Sequence, residues 1–159
     1  MNICLCFRNK CMKDKKYKPI TEQFVERQII KYLSKNGWGT NLEYGDIRDK
    51  GVDIKVRHNK YSRYFLIEAK GEGSANIKNI NSRREVIFIY ALGQILTRMT
   101  TSSATRYYYG IGLPEMSAKK AIKRIPWQIA KKLLFYIFSV NTKGDVIKYS
   151  WQDLRDIQK

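Results

Sequence analysis

All three cysteines fall within the first eleven of 159 residues, and nowhere does an apolar run approach the length of a membrane span. A bilayer-crossing helix needs about 20 consecutive apolar residues, so a membrane-spanning protein is not expected. Cys4, Cys6 and Cys11 are odd in number and lack the paired spacing and distant partners of a zinc site, so they read as free thiols. The apolar stretch over residues 1–7 is too short and poorly flanked for a signal peptide, and a soluble protein of the cytoplasm is expected. Neither an internal repeat nor a low-complexity linker divides the chain.

Acidic residues are also scarce, at 14 against 31 lysines and arginines, which leaves a net charge of +17. That excess is far more than solubility needs and invites a polyanion, with nucleic acid ahead of an anionic lipid surface. A 43% hydrophobic and 13% aromatic content argues against disorder and suits one domain with a real core. Residues 1–18 are basic and irregular, and Met12 offers a second start, so they are read as an N-terminal extension to a single domain over residues 19–159.

Over residues 21–36 the positions Val25, Ile29, Tyr32 and Leu33 recur at helical spacing, with Thr21 as N-cap and Gly37 closing the helix. Residues 38–47 are expected as a strand with a turn at Gly45 and Asp46. Residues 52–56 and 64–69 alternate as strands of an antiparallel hairpin. A second helix is expected over 85–99, mostly buried through Phe88, Leu92, Ile95 and Met99. A strand at 106–113 ends at Pro114, residues 118–133 are helical with a break at Pro126, 134–140 is a strand, and 141–144 turns into 145–151. The order predicts an α/β domain with a central mixed β-sheet flanked by helices.

Period-two alternation puts Glu68 and Lys70 on one face of their strand, opposite Phe65, Ile67 and Ala69. With a turn over residues 59–62, antiparallel counting sets Asp53 directly across from Glu68. On the first helix Glu22 and Glu26 fall inside the arc of Val25, Ile29 and Leu33, where burying a carboxylate is costly unless a cation compensates. Lys70 or a metal ion can be that cation. Hard divalent ions such as Mg²⁺ take oxygen ligands, which suits Asp53 and Glu68, with an ammonium alongside to stabilise charge building on phosphorus. Taken alone, a Glu and a Lys two apart on a strand are usually a solvated face, and Asp53 after Gly51 can simply shape a turn. One site explains the coincidences together.

The run Gly51-Val52-Asp53, fourteen intervening residues, then Glu68-Ala69-Lys70 resembles the PD-(D/E)XK nucleases, with Val52 in place of the nominal proline. Residues 26–38 are similar to the first helix of archaeal Holliday-junction resolvases and related restriction-type enzymes. The resemblance implies a restriction-endonuclease-like fold and a metal site of Asp53, Glu68 and Glu26, with Glu26 preferred to Glu22. Ala91-Leu92-Gly93-Gln94-Ile95-Leu96 looks like the helix that follows the active-site strand, which gives Gln94 a place beside the site; Arg98 stands where some members carry a tyrosine.

The expectation is therefore an Mg²⁺-dependent endonuclease, with Mn²⁺ able to substitute, that hydrolyses phosphodiester bonds in DNA. Asp53, Glu68, Lys70, Glu26 and Gln94 would be its catalytic residues. The alternative is a non-cleaving nucleic-acid adaptor on the same fold. Lys55, Arg57, Lys60 and Arg63 ring the hairpin as candidate phosphate contacts. Lys119, Lys120, Lys123 and Arg124 fit a second contact or a solvated helix face equally well. Tyr107, Tyr108 and Tyr109 alternate along a strand, as core and sheet surface rather than base-stacking platforms. A homodimer would suit an enzyme that cuts two strands.

Overall fold

The computed structural model describes residues 18–39, 52–73, 79–100 and 103–159. The N-terminal extension up to residue 17, Gly51, and the greater part of the strand expected at 38–47 lie outside them. Trp38 itself forms an isolated antiparallel bridge with His58.

Helix α1 (Glu22–Lys35) begins where expected, with the Thr21 hydroxyl accepting from the Phe24 N–H. It ends at Gly37, whose φ of 84° a side chain would resist. Strands β1 (Ile54–Arg57) and β2 (Arg63–Ala69) pair antiparallel with Ile54 opposite Ile67. One further step of that ladder sets Asp53 across from Glu68, the register counted from a turn over 59–62.

Helix α2 (Ile80–Leu96) starts five residues earlier than the 85–99 expectation, because the Asn79 side chain caps it through the Ser82 N–H. Strand β3 (Arg106–Pro114) is followed by α3 (Glu115–Arg124) and α4 (Trp127–Leu133), split at Pro126 as its missing N–H requires. Strands β4 (Phe135–Val140) and β5 (Val146–Tyr149) complete the sheet. A last helix, α5 (Trp151–Gln158), had not been read from the sequence, although Ser150 and Asp153 form a capping box at its start.

Among the described residues the sheet has the order β1-β2-β3-β4-β5, antiparallel at both edges and parallel through β2, β3 and β4. It is thus mixed and flanked by helices, the α/β architecture expected of a restriction-endonuclease-like fold. Alternation along β2 sorts two cores. Phe65, Ile67 and Ala69 pack with Val25, Ile29 and Leu33 of α1, whereas Leu66 packs on the other face with Phe88, Ala91 and Ile95 of α2. Along β3 the same rule sends Tyr109 to the α2 face and Tyr108 to the α1 face. Gly112 admits α1 closely, since a Cβ there would strike Ile29. No helix among the described residues is long and apolar enough to cross a membrane.

Candidate active site

Four carboxylates and two cations gather at the carboxyl end of β2, where open α/β sheets commonly place their ligands. Asp53 stands one residue before β1 and accepts a hydrogen bond from the Ala69 N–H through Oδ2 at 2.8 Å. This bond ties the acid to the last residue of β2 and holds it at the sheet's end. Glu68, one residue earlier on β2, has a side chain only 1% exposed. The Lys70 ammonium donates to its Oε1 at 2.9 Å, and the Arg98 guanidinium pairs with its other oxygen.

Lys70 lies just past β2, where the chain leaves the sheet, and so reaches both faces. Its Nζ is 3.6 Å from Asp53 Oδ2 and 3.6 Å from Glu22 Oε2 on α1. Burial alone would lower its pKa, but the hydrogen bond it donates to Glu68 and the charges of Asp53, Glu68 and Glu22 outweigh burial and raise it. Lys70 is therefore held as an ammonium.

The start of α1 is fixed over this site by backbone contact. Glu72 donates its N–H to the Ile20 carbonyl at 2.7 Å and accepts from the Ile20 N–H through its carboxylate at 3.0 Å. Between Lys70 and Glu72, Gly71 lies so close that a Cβ would come within 2.6 Å of the Thr21 carbonyl carbon and 2.7 Å of the Ile20 oxygen. Glycine is thus needed for β2 and the α1 N-terminus to meet.

One consequence is that Glu22 and Glu26 come down on Asp53: one oxygen from each of the three lies within 4.8 Å of the others. Glu26 is buried at 7% exposure. The Glu22 pKa is raised, chiefly by burial and further by the Asp53 and Glu26 charges, with Lys70 acting only partly against them. The six side chains carry four negative and two positive formal charges, leaving a net of −2 for an added cation.

The carboxylates expected to hold a metal, Asp53, Glu68 and Glu26, fall into two groupings. Glu22, set aside in favour of Glu26, joins Asp53 and Glu26, while Glu68 turns to Lys70 and Arg98. Gln94 is not brought into this network. Its Oε1 is buried without a hydrogen-bond partner among the described residues. The side chain from this segment that reaches Glu68 is Arg98, four residues further on, which stands where some members of the resembled family carry a tyrosine. Sequence reading also passed over Gly71 and Glu72, because what they contact lies far off in the chain, Ile20 being 52 residues before Glu72.

The trio of Glu22, Glu26 and Asp53 fits a hard divalent ion, being all oxygen and anionic, with neither sulfur nor imidazole to favour zinc. The basic hairpin residues lie elsewhere. Arg57, Lys60 and Arg63 sit at the turn, five residues of β2 away from Glu68, or roughly 17 Å at about 3.3 Å per residue. Lys55 lies over the Tyr64 ring at 5.8 Å, and Arg63 over Tyr61 at 4.8 Å. In the α3 cluster, Lys119 pairs with Glu115, while Lys120 and Arg124 pair with Glu85, as a solvated face does.

No protein-family profile and no curated protein matches the chain. Among solved structures it is similar to an XisH family protein from Nostoc punctiforme PCC 73102, at 13% identity, over 80% of this chain and 98% of that one, with a TM-score of 0.44. A likeness that slight assigns no activity.

Proposed function

We propose that the chain is a metal-dependent endonuclease of the PD-(D/E)XK type that hydrolyses phosphodiester bonds in DNA. One observation carries the reading: Glu22, Glu26 and Asp53 converge at the end of β2 beside Lys70, itself bound to the buried Glu68. A solvated face has no reason to assemble three acids, one of them 1% exposed, around one ammonium.

Glu22, Glu26 and Asp53 would hold Mg²⁺, or Mn²⁺ in its place. When bound, the ion supplies charge neutralisation at the phosphate and a water of lowered pKa. Lys70 keeps its proton on Nζ and presents its N–H donors to the phosphoryl oxygens as negative charge builds on them. Glu68 orients that ammonium, and Arg98 holds Glu68 in place from the opposite oxygen. The net charge of +17 favours the DNA backbone without reading sequence.

Incubation with supercoiled, linear and branched DNA in Mg²⁺ or Mn²⁺ tests the proposal. Cleavage by the parent chain, lost in Asp53→Asn and in Lys70→Ala, is the expected result. Tight binding without cleavage of any substrate would make the chain an adaptor and overturn the assignment.

A further inference from the structure

On the Glu68 face of the sheet, between the end of α2 and the amino ends of β3 and β4, an open cleft of about 590 Å³ is walled by Tyr107 and Tyr109 and rimmed by Arg106 and Lys132. We propose that this cleft receives one unpaired nucleotide, so that the DNA this chain takes carries a single-stranded segment. The proposal rests on the DNA reading above but requires no cleavage.

Charge favours an anionic occupant. None of the lining residues is acidic, and Arg106 and Lys132, both exposed, have no ion-pair partner among the described residues. The α3 cations are engaged otherwise, each of Lys119, Lys120 and Arg124 being matched by a glutamate. Two unmatched cations at a rim suit the phosphate groups of a strand.

The wall suits a base. Tyr107 stacks on Tyr64 with centroids 5.8 Å apart and planes 26° from parallel, and on Tyr109 at 6.5 Å and 19°. Tyr109 is fixed in turn, its hydroxyl accepting from the Thr100 N–H at 2.9 Å and donating to the Thr100 carbonyl. A rigid aromatic wall loses little freedom when a flat ring joins it. The backbone is held in an uncommon shape at the same place. Leu134, also lining the cleft, has a φ of 50°, while its carbonyl accepts from the Tyr109 N–H. A leucine in the left-handed region is strained, and such strain gathers at ligand sites.

Size and position select an unpaired unit. The volume suits one small ligand rather than a duplex, whose bases are stacked and paired out of reach. The cleft begins one residue beyond Arg98, whose guanidinium is on Glu68, and its rim at Arg106 lies beside Arg63 in the sheet, so a strand seated there runs from the turn end of the sheet toward Glu68.

Fluorescence anisotropy in EDTA tests this without any cleavage. The probes are a labelled oligothymidine, an abasic oligonucleotide with the same number of phosphates, and a duplex. The full-length protein should bind oligothymidine roughly tenfold tighter than the abasic strand, in keeping with one stacked base. Tyr107→Leu should erase that preference and Tyr107→Phe should restore it, with melting curves confirming that both variants fold. Arg106→Ala and Lys132→Ala should weaken both single strands alike and each lower the salt slope by about one. Equal affinity for the oligothymidine and abasic strands, or a preference that survives Tyr107→Leu, would overturn the proposal. A retained preference in a chain that cuts nothing would overturn the nuclease reading alone.

Discussion

Which carboxylates bind the ion can be decided by replacing Glu22 and Glu68 separately and following thermal stability with and without Mn²⁺. Glu22, Glu26, Asp53 and Glu68 carry four negative charges against the two positive charges of Lys70 and Arg98. A divalent ion removes the remaining −2. Metal at one hundred times its dissociation constant stabilises the native state by about 2.7 kcal/mol, or roughly 5–11 °C in a domain of this size. Glu22→Gln should shrink that increment while raising the metal-free melting temperature near neutral pH. The sign follows from its raised pKa, which burial causes first and Asp53 and Glu26 reinforce. The fold favours the protonated group, so its contribution is complete below the ordinary value of 4.5 and is lost as pH climbs through the folded-state value. The gain in Glu22→Gln should therefore vanish in acid. Glu68→Gln should do the opposite, keeping the metal increment but lowering the baseline, because Lys70 and Arg98 lose their shared partner. Differential scanning fluorimetry across pH reads all of this. An increment that survives Glu22→Gln and Asp53→Asn but disappears in Glu68→Gln would refute the assignment and return Glu68 to the metal.

Gly71→Ala should cost about 1–3 kcal/mol in urea unfolding, since its Cβ meets backbone rather than a flexible side chain, and DNA cleavage should fall further than stability as α1 is pushed off the site. Arg98→Met should destabilise by about 1–3 kcal/mol, below the loss of a sole partner because Lys70 still holds Glu68, and adding Glu68→Gln should recover part of it in a double-mutant cycle. Lys70 has a raised folded-state pKa, so its stabilisation is complete below its ordinary value of 10.5 and fades as pH rises through the folded-state value; Lys70→Met should flatten the alkaline limb of the pH–stability curve.

Local pattern alone determined the alternation of β2, the Thr21 cap, the break at Pro126 and the register that sets Asp53 across from Glu68, because periodicity and hairpin counting act over a few residues. The capping box of Ser150 and Asp153 was equally local and would have disclosed α5. The partners of the acids were another matter. Whether Glu68 faces a metal or two cations depends on Arg98, 30 residues away, and whether Glu22 stands over Asp53 depends on Gly71 and Glu72 gripping Ile20. Such contacts are chosen by how helices seat on the sheet, and no periodicity within either segment encodes that. Sequence thus decided which side chains share a face, and the tertiary structure decided which of them touch.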